Sequence, residues 1–146
     1  MKKIILTSIS AFALMLFAGT ELHAQQTDLV QTNVPQEIQK YLDDNFKGMK
    51  LIKYKEEKGI DKVEHKVKLQ NDTEIEFDGN YRVTDIDSKK ALPASVIPSE
   101  ISKYVRKNYP KNFIREWELE GTNQQVTLNN GVDLLFDMNG NFLKID

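Results

Sequence analysis

The chain has 146 residues, 20 Lys and Arg against 22 Asp and Glu, and no Cys. The missing Cys excludes disulfide staples, thiol chemistry and Cys-ligated zinc. The near-balanced charge, with no long basic block, speaks against a nucleic-acid partner.

The first 24 residues read as a secretory signal peptide. Lys2 and Lys3 form a positive n-region, Ile4 to Ala18 an apolar h-region, and Leu22-His23-Ala24 a cleavage site with the cut expected after Ala24. The apolar run is shorter than the roughly 20 residues a helical span needs, so an uncleaved anchor is the lesser alternative. Of 146 residues, 122 remain after 24 are removed, enough for a single domain over 25–146. Two Lys and one Glu leave with the signal, giving 18 basic against 21 acidic residues. The product is expected in the periplasm or outside the cell, with no stable membrane insertion.

A helix is predicted from Val34 to Phe46. Ile38, Tyr41, Leu42 and Phe46 form one apolar stripe. Pro35 suits the first helical position, Glu37 meets the positive end of the dipole, and Gly48 stops the helix. Strands are predicted at Leu51–Glu57, at Val63–Leu69 and around Ile75 and Phe77. A fourth is expected at Tyr81–Ile86, because apolar and charged residues alternate with period two. His65 falls on the apolar side. Asn71-Asp72 and Asp78-Gly79-Asn80 mark hairpins. A linker from Ser88 to Val96 follows, with a short helical turn at Leu92-Pro93. Leu29, 63 residues before Leu92, predicts a matching turn in the first unit.

The sequence then repeats. IPSEISKYVRKNY (97–109) matches VPQEIQKYLDDNF (34–46) at six of thirteen positions. LNNGVDLLFDMNGNFLKID (128–146) matches LQNDTEIEFDGNYRVTDID (69–87) at seven of nineteen. The offsets are 63 and 59, so the second unit is four residues shorter. Its helix carries Ile101, Tyr104, Val105 and Tyr109 and stops at Pro110. Its strands are expected at Phe113–Glu120, around Val126 and Leu128, at Val132–Phe136 and at Phe142–Ile145, with turns at Asn130-Gly131 and Asn139-Gly140. The fold class is α+β. Two tandem helix-plus-four-strand units, about 27–87 and 90–146, join edge to edge. They form one antiparallel sheet of about eight strands with helices on one face.

These features resemble the PepSY-like family of small exported bacterial proteins, over about residues 27–146. The residues that carry the resemblance are Val34-Pro35, Ile38, Tyr41, Asn45-Phe46, Leu69, Asn71, Phe77-Asp78 and Gly79. In the second unit they are Ile97-Pro98, Ile101, Tyr104, Asn108-Tyr109-Pro110, Leu128, Asn130-Gly131, Phe136-Asp137 and Gly140. Asp72 stands where the second unit has Gly131. The family fold is similar to that of the β-lactamase inhibitory protein, itself a tandem repeat of one α/β unit. The resemblance implies an exported protein whose relatives bind or inhibit other proteins, peptidases included. It transfers no catalytic or binding residue.

The residues themselves offer little chemistry. After the signal, His65 is the sole His, and the serines are Ser88, Ser95, Ser99 and Ser102. No nucleophile-elbow motif accompanies them, so no catalytic residue, metal ligand or cofactor is expected. Asp137-Met138-Asn139-Gly140-Asn141 fails the spacing of an EF-hand loop and reads as a turn. Asp85 and Asp87 add another Asp-x-Asp. Lys66 and Lys68 are expected to face Glu74 and Glu76 across a hairpin. Leu135 breaks the alternation and should point to the polar side, where register could bring Trp117 or Tyr81 beside it. Tyr81, Trp117 and Leu135 are therefore the candidate partner-binding residues. The expected function is a non-enzymatic module that binds, and by occlusion inhibits, another envelope or external protein. The alternative is an envelope small-ligand or calcium binder.

Overall fold

The computed structural model describes residues 33–60 and 62–146. The predicted signal peptide and the turn at Leu29 lie outside the described residues. Two helices form where the apolar stripes demand them, α1 (Gln36–Asn45) and α2 (Ser99–Asn108). Pro35 and Pro98 sit one residue earlier than expected, as extended N-caps. Their carbonyls accept the first helical bonds, from Gln39 and Ser102, both at 3.0 Å. Ile38, Leu42 and Phe46 on the first helix, and Ile101 and Val105 on the second, are buried. None of the described helices is long and apolar enough to cross a membrane.

The described residues also form eight strands: β1 (Leu51–Lys58), β2 (Val63–Leu69), β3 (Glu74–Asp78), β4 (Val83–Asp87), β5 (Ile114–Glu120), β6 (Asn123–Leu128), β7 (Asp133–Asp137) and β8 (Phe142–Ile145). A short 3-10 turn at Ala94–Val96 leads into α2. The strands pair in sequence order, every pair antiparallel, in one open sheet. The fourth strand starts at Val83 rather than Tyr81, because Tyr81 adopts a left-handed φ of 62° in the turn before it.

Alternation assigns the core. Tyr54, Val67, Ile75, Ile86, Trp117, Val126, Leu134 and Ile145 lie in register across all eight strands, and all but Ile145 are buried. Each full burial of such a side chain contributes about 1.5–3 kcal/mol. The helices cover this side. Each repeat anchors its helix by an edge-on ring pair, Tyr41 on Phe77 (5.5 Å, 90°) and Tyr104 on Phe136 (5.4 Å, 84°). Such pairs add about 0.5–1.5 kcal/mol beyond the area they bury.

The repeat extends to irregularities. Bulges fall at Leu51/Lys53 and Ile114/Glu116, and at Glu76/Phe77 and Leu135/Phe136. Asp72 takes φ 62° where Gly131 takes 82°, and both turns close with the same backbone bonds, so the Asp is accommodated without a change of turn. Gly140 (φ 83°) corresponds to Tyr81. A Cβ at Gly140 would lie 2.8 Å from Glu100 Cβ, so α2 packs directly on that turn. In the first repeat the Tyr81 ring instead lies over His65, 4.9 Å away.

Each repeat also buries one polar pair beneath its helix. The Tyr54 hydroxyl is hydrogen-bonded to His65 Nδ1 at 2.9 Å. At the matching positions Trp117 Nε1–H donates to Gln124 Oε1 at 3.0 Å, and Gln124 Nε2 donates to the Asp137 carbonyl. Trp117→Ala removes a large core side chain and leaves Gln124 Oε1 without its donor. We expect a loss of about 3–5 kcal/mol in denaturant unfolding. A loss below about 1 kcal/mol, the size of an ordinary surface change, would contradict the buried placement.

Candidate functional site

The face opposite the helices carries the second half of the alternation. One cross-strand row reads Lys55, Lys66, Glu76, Asp85, Glu118, Gln125, Leu135 and Lys144. The adjacent row reads Lys53, Lys68, Glu74, Asp87, Glu116, Thr127 and Asp133. Charge is sorted along both rows: cations on β1 and β2, carboxylates from β3 to β5, uncharged side chains on β6. The expected hairpin pairs are present, Lys66–Glu76 at 2.9 Å and Lys68–Glu74 at 2.8 Å. Between the lysine stems lies a shallow recess of about 170 Å³ that reaches the strands at Val67 and Ile75, whose side chains turn to the core.

The centre of this face is where the two repeats meet. β4 pairs with β5 over three residues, Asp85↔Glu118, Ile86↔Trp117 and Asp87↔Glu116. Like charges directly opposite each other destabilise a pair of strands. Asp87 is relieved by Arg115 at 3.0 Å, whose guanidinium also reaches Glu116 at 3.3 Å. Asp85, Glu116 and Glu118 bring carboxylate oxygens within 4.8 Å of one another. Burial, then repulsion from Glu116, Glu76, Glu118 and Asp87, pushes the Asp85 carboxyl up to about 7. Burial and the neighbouring glutamates raise Glu118 as well. A recess of about 260 Å³ opens beside them, lined by Glu64, Glu76, Asp78, Thr84 and the stem of Lys62. Oxygen ligands from two strands at this spacing suit a hard divalent cation, which takes carboxylate oxygens and completes its shell with water.

The candidate residues read from the sequence do not form one surface. Leu135 does face away from the helices, between Gln125 and Lys144, and is 7% exposed. Trp117 faces the opposite way and is 9% exposed, because Glu116 and Glu118 on either side take the outer positions. Tyr81, 36% exposed, stands in the β3–β4 turn against His65 on the helix side. His65 is buried, and its hydrogen bond goes to Tyr54. Ser88 is buried and receives the Thr73 hydroxyl proton at 3.0 Å. The Asp137 loop is a turn held by its own carboxylate, which accepts from the backbone N–H of Asn139 and Asn141. Asp78 does the same in the first repeat. The seam carboxylates were not singled out as a group from the sequence, although D-x-D at 85–87 and E-x-E at 116–118 flank the two apolar residues that meet there.

Two helices on one open antiparallel eight-stranded sheet define an α+β fold. The chain matches the family described as "Putative beta-lactamase-inhibitor-like, PepSY-like" over residues 19–85 and again over 63–144, and it belongs to that family. Solved structures similar to the chain include three from Bacteroides. A Bacteroides thetaiotaomicron protein described as a "putative calcium-regulated periplasmic protein" is 30% identical, with a TM-score of 0.74 over 79% of this chain and 91% of that one. A DUF2874-family protein of Bacteroides vulgatus described as a "putative periplasmic protein" is 32% identical, with a TM-score of 0.72 over 77% and 90%. A second B. vulgatus protein, described as a "putative periplasmic protein of unknown function", is 30% identical, with a TM-score of 0.73 over 78% and 92%. No curated protein matches the chain.

The raised Asp85 carboxyl has a consequence for stability. Unfolded, the group releases its proton near 3.8; folded, it holds it up to about 7. The folded state therefore binds more protons between those values, and stability falls as pH rises through about 7. Across this range the melting temperature of the native protein should fall relative to that of Asp85→Asn as pH rises, on top of the opposite slope from the carboxylates held below their usual range, such as Asp72, Asp78 and Asp137. Parallel curves for the two proteins would count against the shift.

Proposed function

We propose that this protein is an exported, non-enzymatic binding module that engages another protein of the envelope or exterior through the helix-free face of its sheet. The observation that carries the reading is the sorted charge along the two cross-strand rows, from the lysines of β1 and β2 to the carboxylates of β3 to β5. A pattern of this kind orients a partner of complementary charge and fixes its register. Export is supported by the N-terminal segment and by structural neighbours described as periplasmic. The inhibitor-like description of the family supports occlusion of a partner's surface as the mode of action. Of the three candidate contact residues, Leu135 lies on this face, while Trp117 supports it from beneath. Tyr81 stands at the rim of the first repeat on the other side.

The test is capture from envelope extract with the native protein and with Glu116→Lys, Glu118→Lys. Loss of a specific partner by a variant that keeps its circular dichroism spectrum supports the reading, and assay of that partner's activity then tests inhibition. Equal capture by both proteins overturns the helix-free face as the contact surface.

A second reading, calcium binding at the seam, is favoured by the spacing of Asp85, Glu116 and Glu118 and by the description of the B. thetaiotaomicron neighbour as "putative calcium-regulated". A cation bound only by the folded chain stabilises it by about 2.7 kcal/mol at a hundredfold excess over Kd. Calcium should then raise the melting temperature of the native protein and leave Glu116→Gln, Glu118→Gln unchanged. No calcium-dependent shift in the native protein removes this reading and leaves the first intact.

A further inference from the structure

β8 is one edge of the sheet, and no described strand pairs with its outer side. Asp146 directs its N–H inward, to the Asp133 carbonyl at 3.0 Å. Backbone groups alternate direction along an antiparallel strand, so Ile145 directs its N–H and C=O to the open edge. Ile145 is also the counterpart of Ile86, 59 residues earlier. Ile86 is fully buried because β5 closes that edge and sets Trp117 opposite it. Ile145 lies in the same core row yet is 59% exposed, and Leu143 beside it is 48% exposed.

Both edge strands carry a lysine and a bulge, and they differ in the pattern of side chains they present. β1 carries Lys53, Lys55 and Lys58 and a bulge at Leu51/Lys53, the usual protection against unwanted pairing. β8 presents Lys144-Ile145-Asp146, a pattern complementary to itself. Read antiparallel against a second copy, Lys144 meets Asp146, Ile145 meets Ile145, and Asp146 meets Lys144. Lys144 and Asp146 already form an ion pair within the strand, on the helix-free side.

We propose that β8 is the interface of a two-fold symmetric dimer of this chain, in which two sheets join edge to edge. The pairing spans three residues, the same length as the β4–β5 seam that joins the repeats. The Ile145 pair exchanges both backbone hydrogen bonds and covers its side chains against one another. The Lys144–Asp146 pairs pass from within one strand to between two. The axis stands perpendicular to the sheet, so all helices stay on one side and the helix-free faces become continuous. Such an isologous contact closes on itself. The alternative, β8 on β1 of the next copy in the register of the internal seam, sets Lys144 against Lys55 and does not close.

Sedimentation velocity over a concentration series of the purified, host-processed protein tests this. The native mass should rise towards twice that of the monomer. Lys144→Asp alone, or Asp146→Lys alone, sets like charges opposite each other at two symmetric positions. Each should move dimerisation to roughly tenfold higher concentration. The double variant restores opposite charges and should restore the dimer. These side chains are exposed, so circular dichroism should not change. A native protein that stays monomeric throughout, as it would if a strand of another protein filled this edge, overturns the proposal. So do a dimer insensitive to the single variants, a double variant that does not recover, and species that grow beyond the dimer.

Discussion

The fold depends on a three-residue contact between two strands separated in the chain by residues 88–113. Where β4 meets β5, one side of the sheet buries Ile86 against Trp117, and the other sets Asp85 and Asp87 against Glu118 and Glu116. The magnitudes decide which side prevails. Burying the two apolar residues contributes about 1.5–3 kcal/mol each, whereas a directly opposed charge pair costs a fraction of a kcal/mol to about 1. Arg115 removes part of that cost by pairing with Asp87. The sheet is thus joined from its helix side and strained on its open side. The carboxylates on the open side are thus not what joins β4 to β5.

Most of the architecture was legible because two patterns agreed. Period-two alternation marked strands, and the duplicated sequence tied each uncertain element to a clearer copy of itself. The β2–β3 turn illustrates this: Asp72 alone is ambiguous, but Gly131 at the same place in the second repeat marks the left-handed residue both turns use. The counterpart of Gly140 was harder to see. It is Tyr81, and a tyrosine in a left-handed turn is a choice that local propensity does not favour.

The candidate site was less legible, for a physical reason. Which side of a sheet a residue takes is fixed by the parity of its strand, and a single bulge reverses it. The bulge at Ile114/Glu116 lies just before Trp117, so counting from Ile114 does not settle where the indole points. Glu116 and Glu118 settle it locally, since two carboxylates cannot both turn into a core. The carboxylate cluster itself needed the tertiary pairing. The edge-to-edge joining of the units was expected from the repeat, but nothing within β4 or within β5 announces the register that sets Asp85 against Glu118 and Asp87 against Glu116.

The chain has a single tryptophan, and it stands at the junction of the repeats. Its indole N–H is held by Gln124 within the second repeat, while its cross-strand neighbour Ile86 belongs to the first. An event that parts the two halves wets one side of the ring while its hydrogen bond survives. An event that melts the second half removes both. The tryptophan fluorescence of this protein, excited apart from its five tyrosines, thus originates at the boundary between its halves, which gives the molecule an optical gauge of whether they move together.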